Sequence, residues 1–340
     1  MKKAIIIGLA CLTAGTGLAG CGEGNRNTAE NITTAETTMA AKVSGFKYHF
    51  ADKDEAVSCY LSHDAYFDGF SPCDIQYRLQ DKNGTIDEVK EFGASQMEEF
   101  TDEEKAVLEK TLEEMQSQSQ EHGYSFPELD ELIFIKSTQY EECESGAYTH
   151  GTQIYMGKEL TDLLSSDDEE EKLFGQSILW HEIFHCLTRY NPDFRSDMYS
   201  LINFTVQDQE YKIPPSVFEK YISNPDVEHH NAYATFKING KDTDCFMALI
   251  AMEPFEKKGD SFFDSMNGAL VPVDGRDIYY LTEDAENFWE IFGENTDYVV
   301  DPEECIADNF ALLLTYGTDG MEYENPEIIK EIQEYLSDHK

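Results

Sequence analysis

Residues 178–192, ILWHEIFHCLTRYNP, read as the end of one long helix carrying the pentapeptide His181-Glu182-Ile183-Phe184-His185. Upstream, Leu173, Phe174, Ile178, Leu179, Ile183 and Leu187 recur at helical spacing, and the acidic cluster Asp167 to Glu171 sits where carboxylates favour a helix start. Asn191-Pro192 ends the helix, because the residue before a proline is pushed out of helical backbone. Side chains four apart share a face, so two imidazoles can converge on one ion. Glu182 is turned about 100° from His181 and can approach a water on that ion without binding the ion itself. The apolar residues interleaved with the motif predict a helix buried at the back of a cleft, not a surface helix that merely carries two histidines.

A catalytic zinc site usually takes a third protein ligand and keeps one position for water. The metzincin arrangement needs glycine three residues and histidine six residues after the second histidine; Thr188 and Asn191 stand there and exclude it. A later helix offers a carboxylate instead. Asp301 can cap it, Pro302 suits its first turn, Leu312 to Leu314 continue it and Gly317 ends it. Within it Glu304 and Asp308 are four apart and share a face, whereas Glu303 has no partner at that spacing. Glu304 also reads as part of a capping box with Asp301.

Together HExxH and this Glu-x-x-x-Asp pattern resemble the gluzincin group of zinc metallopeptidases. The resemblance implies that His181, His185 and Glu304 bind Zn2+, that Asp308 orients His181, and that Glu182 is the catalytic base. Over about residues 100 to 320 the chain is also similar to poorly characterised bacterial lipoproteins classed as zinc metallopeptidases, whose Glu helix reads Pro-Glu-Glu-x-x-Ala-(Asp/Glu)-Asn-Phe-Ala. The expected fold is therefore α+β and zincin-like, with a small mixed sheet, an active-site helix and a Glu-bearing helix. It departs from well-known gluzincins in the long separation of the two motifs, which requires a large insert, about 195–293.

Elsewhere the organisation is plainer. Thr101 with Glu104 makes a capping box, and Ala106, Leu108, Leu112 and Met115 predict a helix from Asp102 to about His122. Strands are expected at Leu132 to Ile135 and over Ala147 to Met156. Residues 43–99 read as a small β-containing lead-in, from runs such as Val57 to Leu61 and Ile75 to Leu79 with Asn83-Gly84 as a hairpin turn. The catalytic domain is expected over 100–340.

Lys2-Lys3, the apolar run Ala4 to Leu12 and the ending Leu18-Ala19-Gly20-Cys21 read as a signal peptide over 1–20, too short and interrupted to be a permanent membrane helix. The ending resembles the lipobox of bacterial lipoproteins. It implies that Cys21 is lipidated, that 21–42 is a polar tether, and that the folded part lies outside the cytoplasm on a cell surface or periplasmic side. The net charge of −43 argues against nucleic acid and against anionic lipid as partners through bulk electrostatics, so the membrane is met through the N-terminal lipid only. With Cys11 in the signal and Cys21 in the anchor, Cys59, Cys73, Cys143, Cys186, Cys245 and Cys305 are left to pair or to stay as thiols; Cys59 with Cys73 is the easiest local pair.

Further candidates carry less. Glu228-His229-His230 reads as a surface loop, Asp193 and Asp197 as weak ligand alternatives, and Tyr233, Tyr279 or Tyr280 as oxyanion donors that no spacing selects. The resemblance implies a zinc metallopeptidase acting on a peptide or protein, with an extended substrate running along the strand that ends near Met156. The alternatives are a non-catalytic surface lipoprotein binding peptide or glycan, and a zinc hydrolase of non-peptide substrates. Oligomeric state is not legible.

Overall fold

The computed structural model describes residues 45–338. The expected signal peptide, Cys21 and the tether lie outside the described residues. Strand β1 (Tyr48–Phe50) is followed by four helices, α1 (Lys53–Leu61), α2 (Asp64–Asp68), α3 (Pro72–Leu79) and α4 (Ile86–Gln96). The runs expected as strands therefore lie in α1 and α3, and Asn83-Gly84 joins helices. The reason sits at the helix starts. Asp52, Ser71 and Thr85 each accept a bond from the backbone N–H three residues on, and Ser71 and Thr85 close capping boxes with Asp74 and Glu88. Those caps satisfy orphan donors that short apolar runs cannot, and they decide the local structure.

Helix α5 (Asp102–Glu121) begins at the expected Thr101–Glu104 capping box. Strands β2 (Leu132–Lys136), β3 (Ala147–His150) and β4 (Gln153–Met156) complete a sheet in the order β1-β2-β4-β3, with β1, β2 and β4 parallel and β3 antiparallel. The stretch 147–156 is thus a hairpin, turned at Gly151 with φ +57°, and not one strand. In consequence β3, not the strand that ends at Met156, forms the sheet edge.

Helix α6 (Lys158–Leu164) leads into α7 (Glu169–Tyr190), which Asp168 caps and Asn191 ends; α8 (Pro192–Ser200) restarts at the proline. The expected insert holds β5 (Thr205–Val206), α9 (Pro215–Phe218), β6 (Ala232–Ile238), β7 (Lys241–Ala251), β8 (Met266–Pro272), β9 (Tyr280–Leu281) and α10 (Phe288–Phe292). Its strands make a second sheet, antiparallel throughout, in the order β5-β6-β7-β8-β9. Then come α11 (Pro302–Tyr316), ended by Gly317 at φ +69°, and α12 (Pro326–Asp338). The chain is accordingly mixed α+β.

What positions the two motif helices is one shared core. Phe184 of α7 and Phe310 of α11 pack with ring centroids 5.1 Å apart, and Trp180 meets Phe310 at 6.2 Å. All three side chains are buried, each contributing roughly 2–3 kcal/mol of transfer free energy. The insert is built into this core. Along β7, Cys245 and Met247 face the main core, while Phe246, Ala248 and Ile250 face a second cluster with Val217 and Val271. Period-two alternation buries both faces of that strand. Among the described residues no helix is long and apolar enough to cross a membrane.

Candidate metal centre

Helix α7 presents His181, Glu182 and His185, all buried, to the start of α11. At that start Asp301 caps through the backbone N–H of Glu303, at 2.9 Å, so the Glu304 side chain is not spent on capping. A carboxylate sits behind each imidazole. His181 Nδ1 lies 2.8 Å from Asp308 Oδ1, and His185 Nδ1 lies 3.0 Å from Glu303 Oε1. A carboxylate at Nδ1 fixes the proton there and leaves the Nε2 lone pair for a metal. Both Nε2 atoms face the same oxygen, Glu304 Oε2, at 3.0 Å from His181 and 3.5 Å from His185.

The expected set His181, His185, Glu304 is therefore brought together, with Asp308 behind His181 as expected. Glu303 was missed. It holds the second histidine, and it is itself held by Thr188 Oγ1 and by the Tyr199 hydroxyl, each at 2.5 Å, with Arg195 Nε at 3.8 Å. The four-residue rule finds pairs along one helix, and Glu303 works across two. Asp308 is steadied in turn by the Thr296 hydroxyl, and Asn224 donates to Glu304 Oε1. A further carboxylate, Asp226, comes within 4.8 Å of both Glu182 and His185.

Among the residues of this centre two buried atoms have no hydrogen-bond partner, His185 Nε2 and Glu182 Oε2. Unmatched polar atoms in a dry interior are costly, and here both edge the point where the ligand atoms converge. The electrostatics agree. Burial works against charging His185, yet Asp226, Glu303 and Glu304 outweigh it and lift its pKa to about 10. Burial works against ionising Glu304, yet both histidines override it and hold that carboxyl well below the ordinary range. Burial lifts Glu182 to about 8, with Asp226 adding to it. Such a centre draws positive charge inward, and these buried His and Glu groups can hold a metal ion.

The centre opens into a cavity whose lining includes Gly146, Ala147 and Tyr148 from the sheet edge, Leu249, Phe262 and Met266 from the insert, and Tyr298. Of the tyrosines weighed from sequence, Tyr233, Tyr279 and Tyr280 do not line it. Tyr298 does, with its ring centroid 6.3 Å from that of His181. No motif marks Tyr298; only the chain's path between α10 and α11 brings it there. In the Glu228-His229-His230 segment His229 is exposed, as expected of a loop, but His230 turns inward and its Nε2 lies 2.8 Å from the Tyr221 hydroxyl. Neither reaches the centre. All six described cysteines are free, Cys59 and Cys73 included.

Comparison with family models, with curated proteins and with solved structures finds no match for this chain.

Proposed function

We propose that the chain is a zinc-dependent metallopeptidase of the gluzincin type, on a zincin-like fold, anchored outside the cytoplasm through a lipid on Cys21. The observation that carries this reading is the convergence of His181 Nε2 and His185 Nε2 on Glu304 Oε2, with both Nδ1 atoms seated on carboxylates and Glu182 Oε2 left unpartnered beside them. Three ligands of this type with one open position suit catalytic zinc, which supplies Lewis acidity and lowers the pKa of water.

The chain's own residues supply the rest. Asp308 and Glu303 hold the imidazoles in the ligating tautomer. Glu182, one position past the first ligand, takes the proton of the attacking water and returns it to the departing amine. Tyr298, on the cavity wall beside His181, is the donor best placed for the oxygen of the scissile carbonyl as it gains charge. The edge strand β3 lines the same cavity through Ala147 and Tyr148, which supports an extended peptide lying alongside it. The apolar wall of Leu249, Phe262 and Met266 suits a bulky apolar side chain.

The test is metal analysis of the purified domain from about residue 43, with Glu182→Gln and Glu304→Ala, against a peptide library. The expected outcome is stoichiometric zinc in wild type and in Glu182→Gln, with cleavage falling by about 10²–10⁴ in the latter, and zinc lost from Glu304→Ala. Wild-type protein without metal ends the enzyme reading, and full zinc in Glu304→Ala removes the third ligand.

A further inference from the structure

The segment Ser223–Glu228 of the insert crosses the mouth of the centre as a strap. Its first residue is fixed. Ser223 N donates to Asp74 Oδ1 at 2.7 Å and Ser223 O accepts from Arg78 at 2.8 Å, both partners buried in α3. Beyond that anchor three of the strap's own side chains hold it, and Arg189 grips it from α7.

Asn224 donates to Glu304 Oε1. Asp226 Oδ1 accepts from the backbone N–H of Thr149 at 2.8 Å and from its hydroxyl at 2.6 Å. Glu228 Oε1 accepts from the N–H of Gly151 at 3.1 Å. Thr149 lies near the end of β3 with its N–H turned away from β4, and Gly151 follows in the turn just past the strand. The Thr149 N–H is a donor that an incoming extended strand would use. Arg189, two turns past His181 on α7, ties the strap down. It donates to Pro225 O at 2.9 Å, and its Nε lies 3.0 Å from Glu228 Oε1.

Asp226 has a second carboxylate oxygen. Oδ1 is taken by Thr149, while the residue comes within 4.8 Å of His185 and Glu182, which hold the centre's two partnerless buried atoms. A group that reaches both a ligand and the catalytic base stands on the side where the reacting water has to be.

Resting on the metallopeptidase reading above, we propose that Asp226 is a fourth, displaceable metal ligand. The strap holds its carboxylate at the position that water and the substrate carbonyl must take, and an extended peptide pairing with β3 displaces it. The strap has the construction for this. Ser223 is a pinned hinge, and Asp226 occupies the edge-strand donor that substrate competes for. A closed four-ligand centre is what a structural zinc site has; an open three-ligand centre is what a catalytic one needs. Asp226 converts one into the other.

The test compares wild type with Asp226→Asn, which keeps an oxygen for Thr149 and so keeps the strap seated, and with Asp226→Ala as the fuller deletion. Three readouts are taken: zinc affinity by chelator competition, the visible spectrum of the Co2+-substituted protein, and binding of acetohydroxamic acid as a small chelating probe of the fourth position. Zinc affinity is expected to fall by at least the roughly tenfold that loss of an outer partner costs. The Co2+ spectrum is expected to change, and acetohydroxamic acid to bind severalfold tighter to Asp226→Asn than to wild type. Tight zinc in all three proteins with the same Co2+ spectrum and the same probe affinity overturns the fourth ligand and leaves the metallopeptidase reading standing. Wild type that takes up no metal overturns both. Circular dichroism on each variant separates loss of ligand from loss of fold, and a folded Asp226→Asn is sufficient for the decision.

Discussion

Two buried charge clusters face the same cavity, and they are finished differently. At one end Arg78 donates to Asp74 at 2.8 Å, to Glu142 at 2.7 and 3.0 Å, to the Tyr66 hydroxyl at 2.9 Å and to Ser223 O at 2.8 Å. None of the side-chain atoms of Arg78, Asp74 or Glu142 is left buried without a partner. At the other end sit His181, His185, Glu304, Glu303 and Asp308, where carboxylates hold the back of each ring and the front is left open at His185 Nε2 and Glu182 Oε2. Both clusters rest on pairs four residues apart in one helix: Asp74 with Arg78, His181 with His185, and Glu304 with Asp308. Closure, not spacing, separates the cluster whose polar atoms are all paired from the one that keeps partnerless atoms on its front.

The largest effect expected from breaking this contrast is on the closed side. Arg78→Met strands Asp74 and Glu142, whose carboxyls burial already pushes up against the pull of Arg78. Removing one member of a buried ion network costs about 3–5 kcal/mol, because the remaining charges have no water to turn to. Denaturant unfolding should show that loss. The triple variant Asp74→Asn, Arg78→Met, Glu142→Gln should recover most of it, since neutral groups leave no stranded charge. If the single variant unfolds like wild type, the cluster is not the pin that the hydrogen bonds describe.

One residue on that side departs from the rule. Glu141 is 1% exposed, accepts from the Tyr148 hydroxyl at 3.0 Å through Oε1, and leaves Oε2 without a partner. Burial lifts its pKa from the ordinary 4.5 to about 7, against the hydrogen bonds that pull it down. The folded state then binds a proton that the unfolded state has given up. The stability tied to that proton is full below pH 4.5 and is lost as pH rises through about 7. Glu141→Gln should remove this dependence, gaining over wild type across that window by on the order of 3 kcal/mol and staying level above it. Unfolding curves at pH 4.5, 6 and 8 measure it, and parallel curves for the two proteins would dismiss the neutral buried Glu141.

How far the sequence led differs between the same regions. Helix α7, its stop at Asn191-Pro192 and the Thr101–Glu104 cap could be read off, because each rests on periodicity or on a spacing within one element, and the grouping of His181, His185, Glu304 and Asp308 came from the resemblance of two such spacings to a known pair of motifs. The helices of residues 53–96 were misread. Their apolar runs are short, and the capping boxes at Ser71 and Thr85 decide them. Glu303, Asn224, Asp226 and Tyr298 were beyond reach for another reason. Each meets the centre across elements far apart in the chain, and a single sequence carries no record of such contacts. The insert hid two of them, Asn224 and Asp226: its length was plain, but its pairing of β7 with β6 and β8, and the strap that pairing positions, are tertiary facts.

The smallest expected effect distinguishes the two carboxylates behind the imidazoles. Asp308 is steadied by the Thr296 hydroxyl, and a hydroxyl can turn and accept. In Asp308→Asn one oxygen still receives His181 Nδ1–H, the new amide donates to Thr296, and zinc affinity should fall by only about tenfold, the low end for an outer partner. Glu303 faces Thr188, Tyr199 and Arg195. The two hydroxyls can adapt, but a guanidinium has no acceptor, so in Glu303→Gln the amide must either meet Arg195 donor to donor or flip and lose its acceptor for His185. The loss there should approach about a hundredfold. Chelator competition on both variants orders them. Equal losses would mean that charge alone matters at these positions, and the reverse order would mean that the first histidine, not the second, is the more dependent on its partner.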